Sequence, residues 1–461
     1  MDMFIGREKE LERLENLYSS GRFETCAIYG RRQIGKTALM RRFSVGKRTI
    51  DFQFSKGTAY ENLSHMGIII GNYLGTDIMH FDSLSEAMDA LRKICIEERM
   101  LVIFDEIPYL ARSIPDSMSI LQRFIDSCRE DTATMVLICG SSISMMKKET
   151  EEYESPLYGR FSNRMEVGPL SVLECKAFHP GMSDEDMLRT YLTVGGVPNY
   201  HRLMDEDTYE KCIRKCFLGR DAPLAGEAFT VIEGELSPPD IHSGILACIA
   251  DGKRLQNEIT DALGISKGLC SRYVENLKNV GMVSVLNPML TAKKAPNIIT
   301  DGLLDFHYTV LRKHAAIIGN GETARTYRIM KVDIDTLLGR RFEQMCMEYI
   351  ASNYAVKEIG AWWGNMDGVE TDIDVVADVY NKDDLVITLL GECKFRKEPA
   401  GMSVISNLEK KAAFARANRN VRMAVFSLGG FSEGMEEYAS DSGTLLIGKE
   451  KLLGRIAPEE L

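Results

Sequence analysis

The chain has 461 residues, 45% hydrophobic and 27% charged, an ordinary globular balance with material for about three domains. A net charge of −11 argues against a general polyanion binder and leaves room only for a local basic face. No apolar run approaches the roughly 18 residues of a membrane span, Met1-Asp2-Met3-Phe4 lacks a secretory pattern, and eleven cysteines without a CxxC pair fit reduced thiols. The expected location is therefore cytoplasmic, with no membrane partner.

Taken alone, Phe4-Ile5-Gly6-Arg7-Glu8-Lys9-Glu10-Leu11 reads as a turn and then an amphipathic helix. Cys26 to Tyr29 predicts a short buried strand. Gly30-Arg31-Arg32-Gln33-Ile34-Gly35-Lys36-Thr37 follows it with the spacing GxxxxGK then Ser or Thr. The two glycines let the backbone curl so that its N–H groups face phosphate oxygens. Lys36 adds a charge at the β- and γ-phosphates, and the Thr37 hydroxyl is a Mg²⁺ ligand. Ala38 to Phe43 predicts the helix whose N-terminus faces the phosphates. The nucleotide contacts are thus assigned to Gly30, Arg31, Arg32, Gln33, Ile34, Gly35, Lys36, Thr37 and Ala38, and the ligand is expected to be ATP with Mg²⁺.

Leu101-Val102-Ile103-Phe104-Asp105-Glu106 predicts a buried parallel strand ending in two carboxylates. Asp105 suits the Mg²⁺ shell, and Glu106 suits a general base for the attacking water. A third apolar strand, Met135 to Gly140, ends in Ser141-Ser142. Ser141 can sense the γ-phosphate, and a hydroxyl at that place can equally cap the helix beginning at Ile143.

With these residues in place, the chain resembles the AAA+-related STAND ATPases of archaea and bacteria, which begin with a similar F-x-G-R-E-x-E-L segment. The resemblance implies that Ile5, Gly6 and Arg7 line the adenine and ribose pocket. It implies that Arg160, in Ser155-Pro156-Leu157-Tyr158-Gly159-Arg160-Phe161, stabilises charge on the γ-phosphate from its own chain or a neighbour. Arg164 competes for that role, and a plain surface arginine is the bland alternative. Gly195-Gly196-Val197-Pro198 is similar to the turn that closes the small helical lid of these proteins. From the residues alone it says only that the chain turns sharply. The ATPase domain with its lid is expected over residues 1–205.

Residues 206–310 predict a helix from Asp240 to Ala250, a second from Leu255, a turn at Gly264, a third from Lys267 to Val280, and a hairpin from Gly281. That order is a winged helix-turn-helix. Between Lys253 and Lys294 there are seven Lys or Arg and three Asp or Glu, against the sign of the whole chain. Lys267, Ser271, Arg272 and Lys278 are the candidates for DNA contact. An intramolecular or protein-binding role for the same module stays open.

Residues 311–461 hold a second chemical pattern. Val369 to Ala377 alternates as a strand, with Glu370, Asp372 and Asp374 on one face. Eighteen residues after Asp374 comes Glu392-Cys393-Lys394, whose outer two side chains share a strand face. Glu343 lies on a helix upstream. This arrangement resembles the restriction-endonuclease-like PD-(D/E)xK group, with Ile373 where the general motif has proline. The resemblance implies Asp374, Glu392 and Glu343 as metal ligands and Lys394 as the residue that orients water. Trp362 and Trp363 are read as packing at the core edge.

The expected fold class is α/β. A P-loop NTPase with an AAA+-like parallel sheet and helical lid comes first, then a winged helix, then a restriction-endonuclease-like domain. The order resembles a known archaeal and bacterial family that joins a STAND-type ATPase to a nuclease-like domain of once-unknown function. Two functions are expected in competition. One is an ATPase whose nucleotide state controls a metal-dependent nuclease acting on nucleic acid. The other is a signalling switch, assembling as a homo-oligomer, with a C-terminal domain that only binds.

Overall fold

The structure is a computed structural model and describes residues 4–291, 293–366, 368–415 and 420–461. Met1, Asp2 and Met3 lie outside the described residues. The chain forms two compact units. One runs to Leu170 and includes Gly196–Asn199; the other is Ser171–Gly195 with Tyr200–Leu461. Residues 206–310 and 311–461 thus share a unit. No helix among the described residues is long and apolar enough to cross a membrane.

In the first unit, β1 (Glu24–Tyr29), β2 (Thr49–Gln53), β3 (Leu101–Asp105), β4 (Met135–Gly140) and β5 (Asn163–Glu166) form one sheet. Its order is β2-β3-β4-β1-β5, and every pair is parallel. β3 and β4 are buried at every residue, as continuous apolar runs covered on both faces must be. Phe104 holds the core on one side, stacked on Phe52 at 5.5 Å and edge-on to Phe124 at 6.0 Å. Parallel pairing sends the C-terminal tips of β1, β3 and β4 to one edge, where a crevice outside an open sheet takes its ligand. Gly30, Asp105 with Glu106, and Ser141 all stand at or just past those tips.

The second unit opens with a short helix, Val172–Lys176, and then the helix Asp184–Val194, which ends at Gly195 with φ +67°. Three helices follow further on, Pro239–Ala250, Gln256–Leu263 and Lys267–Asn279. The turn between the last two uses Gly264 at φ +63°, and the Ser266 hydroxyl caps the third by accepting from Leu269 N–H. Then β6 (Val283–Val285) and β7 (Asn297–Ile299) pair antiparallel. A long helix, Thr323–Asn353, leads into β8 (Ala355–Met366), β9 (Val369–Tyr380) and β10 (Val386–Lys394), an antiparallel meander. The helix Met402–Ala415 crosses to β11 (Val421–Ser427), parallel to β10, and β12 (Leu445–Gly448) extends the sheet in parallel.

Met289, in the loop joining β6 to β7, is part of the C-terminal sheet's core. Met289 N–H donates to Ala361 O at 2.8 Å, and Ala361 N–H donates to Asn287 O at 3.1 Å, so the loop adds to the edge of β8. Asn287 O approaches so closely that a Cβ at Gly360 would stand 1.9 Å from it. Met289 is 4% exposed and shares a cluster with Trp362, Ile373, Val376 and Leu390. Burial of that side chain is worth roughly 2 kcal/mol.

Candidate functional site

The loop after β1 is shaped by its neighbours. A Cβ on Gly30 would lie 2.4 Å from Val167 O, so only glycine fits beside the strand end of β5. Gly35 takes φ +96° at the start of the helix Lys36–Ser44, a conformation glycine adopts without penalty. Ile34 is 1% exposed and anchors the loop in the core. Gln33 stands at φ +62°, and Asn199 Nδ2 donates to its Oε1 at 2.9 Å. Arg32 donates to the Tyr109 hydroxyl. Arg31 is half-buried, and Ala38 is exposed on the first helical turn.

The lysine and the acids are close by. Lys36 is 5% exposed and donates to the carbonyls of Gly30 at 2.7 Å and Arg31 at 2.9 Å. The Thr37 hydroxyl donates to Asp105 Oδ2 at 2.9 Å. Asp105 is 1% exposed, and its Oδ1 has no hydrogen-bond partner among the described residues. An unpartnered buried oxygen is costly unless something satisfies it, and a hard cation does so. Glu106 holds a left-handed backbone at φ +57°, a position where functional residues often stand. Its carboxylate accepts from Ser141 N–H at 3.2 Å and Ser141 Oγ at 2.9 Å. Ser141 therefore faces Glu106, while the cap of the next helix falls to Ser142, which makes no side-chain capping bond.

The N-terminal turn is tied to the same loop. Gly6 and Arg7 both take positive φ, +68° and +70°. The buried Arg7 guanidinium donates to Ile34 O at 3.1 Å and Gly168 O at 2.6 Å, and Ile5 beside it is half-buried. Arg160 lies elsewhere. Its guanidinium pairs with Asp126 at 3.2 Å. Its carbonyl accepts from Thr25 Oγ1 at 2.8 Å, at the start of β1, whereas the loop follows the end of β1. The guanidinium is not brought to the loop of its own chain, because the strand's length separates them. Arg164 donates instead to Thr150 O at 2.8 Å.

The second cluster lies on the C-terminal sheet. Asp374 Oδ2 accepts from Cys393 N–H at 2.7 Å, which sets β9's acid against the Glu392–Lys394 segment of β10. Lys394 Nζ donates to Glu392 Oε1 at 2.7 Å. Lys411, on the helix Met402–Ala415, donates to Glu392 Oε2 at the same distance. Nothing local in the sequence marks Lys411, since the crossover helix alone brings it back over β10. Burial pushes the Glu343 carboxyl up to about 8, aided by Asp374 and Asp372. Burial and then Glu392 push Asp374 up to about 6. Burial acts the same way on Glu392, but the two lysines outweigh it and hold that group below the ordinary carboxylate range.

The expected trio of metal ligands is not assembled. Among the described residues, no three His, Cys, Asp or Glu are placed to hold a metal ion. Glu343 and Asp374 suit a hard cation, because burial and neighbouring carboxylates raise the cost of ionising each, and a positive charge relieves both. Glu392 does not fit with both oxygens held by ammonium groups. Beside these acids is a cavity of about 150 Å³ lined by Glu343, Asp372 and Asp374, and also by Trp363, Arg340 and Arg254. Trp362 packs in the core as expected, at 3% exposure, whereas Trp363 is half-buried at the cavity. Of the candidates for DNA contact, Lys267, Ser271 and Arg272 are exposed, and Lys278 reaches Glu275 at 3.8 Å.

Comparison with known proteins agrees with the first unit's geometry. Residues 4–202 match the model of an ATPase domain predominantly from Archaea. Residues 307–412 match that of archaeal and bacterial proteins of unknown function. An uncharacterized protein of Methanocaldococcus jannaschii is 28% identical over 388 residues, 81% of this chain and 84% of its own length. An uncharacterized ATP-binding protein of the same organism is 39% identical over 46 residues, 10% of this chain and 78% of its own. A Walker-type ATPase of Pyrococcus abyssi superposes with a TM-score of 0.50 at 20% identity, over 66% of this chain and 95% of that one, a likeness of fold. The chain is thus similar to an ATPase domain predominantly from Archaea over its first part and to archaeal and bacterial proteins of unknown function over residues 307–412.

Proposed function

We propose that the chain is a STAND-type ATPase switch whose nucleotide state governs a metal-dependent, nuclease-like domain acting on nucleic acid. The observation that carries this reading is the Asp374–Cys393 hydrogen bond of 2.7 Å, which joins the acid of β9 to the acid-x-lysine segment of β10. The order of elements supports it: a helix, three antiparallel strands, a crossover helix and a parallel strand. Three helices and a hairpin likewise support a winged-helix reading of residues 206–310. In this division the ATPase with its lid occupies 1–205 and the nuclease-like domain 311–461.

In the ATPase, Thr37 and the unpartnered Oδ1 of Asp105 would hold Mg²⁺, which supplies charge neutralisation at the phosphates. Lys36 grips the β- and γ-phosphates, Arg7 keeps the loop's shape beside the base, and Glu106, oriented by Ser141, takes the proton of the attacking water. Arg160 keeps a role only toward a neighbour, which a homo-oligomer provides. In the C-terminal domain, Glu343 and Asp374 would hold a divalent cation, which supplies Lewis acidity. Lys394 orients the water, and Glu392 positions Lys394.

The test incubates the protein with Mg²⁺ or Mn²⁺, with ATP, ADP or neither, and with DNA and RNA substrates. Cleavage that changes with nucleotide and vanishes in Lys394→Ala is expected. Absence of cleavage in every state, or equal cleavage by Lys394→Ala, overturns the reading. A second reading has its own observation, the capture of both Glu392 oxygens by Lys394 and Lys411. It makes the C-terminal domain a binding module in an ATP-dependent assembly switch. An ATP-dependent change of mass by light scattering, without cleavage, favours it.

A further inference from the structure

The cavity beside the C-terminal acids is composite. Glu343, Asp372 and Asp374 come from the C-terminal domain, whereas Arg254 comes from the loop before the helix Gln256–Leu263. The two parts are locked together by the hairpin loop, through Met289 in the core and Lys293 Nζ donating to Trp363 O at 2.9 Å. Arg254's backbone is fixed as well, since its carbonyl accepts from both Asn297 N–H and Asn297 Nδ2 at 2.9 Å. Its guanidinium, in contrast, makes no hydrogen bond or ion pair with any described residue, although the charges of Asp305 and Glu343 act on it from nearby. Arg340 stands near it but is committed, donating to Asp305 Oδ1 at 2.7 Å. A half-buried guanidinium whose donors are not hydrogen-bonded, held by a fixed backbone at a cavity wall, is a fork of donors suited to a phosphate.

We propose that Arg254 is the phosphate-gripping residue of this cavity and that the cavity takes one unpaired strand of nucleic acid rather than intact duplex. The class of ligand rests on the nucleic-acid reading of the C-terminal domain. The choice of strand rests on the lining of this cavity of about 150 Å³. Trp363 lines the same wall, with Lys293 Nζ 6.0 Å from its ring. Basic groups interleaved with an aromatic face are what single strands use, because every unpaired base offers a face to stack.

The experiment measures binding of fluorescein-labelled single-stranded DNA, single-stranded RNA and duplex DNA to the full chain by anisotropy, in EDTA so that nothing is cut. Wild type, Arg254→Ala and Arg254→Lys are compared over a series of salt concentrations. Melting temperature and ATP hydrolysis report whether each variant folds. Single strands are expected to bind tighter than duplex, with the DNA and RNA arms deciding which strand is preferred. Arg254→Ala should weaken single-strand binding about tenfold and flatten the salt dependence by about one phosphate contact. Arg254→Lys should recover part of both. Equal single-strand binding by wild type and Arg254→Ala, or a preference for duplex, overturns the proposal. Loss of binding in Arg254→Ala with no cleavage by wild type under any condition upholds Arg254 and sinks the nuclease reading. Cleavage that Arg254→Ala leaves unchanged does the reverse.

Discussion

The loop after β1 and the cleft on the C-terminal sheet are both built of lysine, carboxylate and hydroxyl or thiol neighbours, yet they are poised in opposite ways. Around the loop, polar groups satisfy one another in short pairs: Thr37 on Asp105, Ser141 on Glu106, Lys36 on its own loop carbonyls. The buried Asp105 Oδ1 has no partner among the described residues and is left over for a ligand. On the C-terminal sheet the acids oppose each other. Glu343 and Asp374 are both pushed up in pKa, while Glu392 is clamped by two lysines. The first site holds its strain in backbone, at Gln33 and Glu106. The second stores its cost in unrelieved charge. Shape prepared in advance suits a ligand whose phosphates vary little, and unrelieved charge suits a site that awaits a cation or a partner.

Three measurements would break or sharpen that contrast. The largest effect is expected from Lys36→Ala, which should slow phosphate release from ATP about 1000-fold, near 4 kcal/mol of lost stabilisation of developing charge. A loss under tenfold would mean that the loop is not the hydrolytic site it is built to be. Next, Met289→Ala should cost about 3 kcal/mol by opening a cavity under Trp362 and lower the melting temperature. An unchanged melt would show that the hairpin loop rests on the C-terminal sheet without holding it.

The smallest effect is a pH dependence at Glu343. Its folded pKa of about 8 lies above the ordinary value of 4.5. Below about pH 4 the group is protonated folded or unfolded, and no penalty arises. As pH climbs toward 8 the unfolded chain loses a proton that the folded one keeps, so stability falls; above 8 the loss is complete. Glu343→Gln should therefore melt with wild type near pH 4 and above it at pH 8, by roughly 2 kcal/mol after allowing for coupling to Asp374. Equal melting at both pH values would remove the unrelieved charge from the account of this site.

Legibility differs between the two regions for a physical reason. Eight consecutive residues carry the phosphate loop, and Asp105 and Glu106 close a strand too apolar to be anything but buried. Local spacing suffices for these because parallel strands deliver the residues after their tips to the same sheet edge. Ser141 stays open between two roles until its distance to Glu106 decides it. Arg160 stays open between its own chain and a neighbour until its pairing with Asp126 removes the first, since sequence order does not say which edge of a parallel sheet a connection occupies. In the C-terminal unit, alternation along β9 and β10 makes Asp374, Glu392 and Lys394 readable as strand neighbours. Lys411 and Arg254 are not readable at all, lying on a crossover helix and in another module.

By itself, then, the sequence determined the chemistry that is contiguous: a nucleotide loop, its acidic strand end, and an acid with acid-x-lysine at strand spacing. Hydrophobic periodicity and glycine geometry are local, so they survive without knowledge of the fold. Tertiary structure alone decided that Glu392 answers to two lysines, that Arg160 faces away from its own loop, and that Met289 between β6 and β7 packs into the core of the C-terminal sheet. Apart from the local Lys394–Glu392 pair, these are contacts between segments distant in sequence, set by which surfaces must be buried together rather than by any neighbour in the chain.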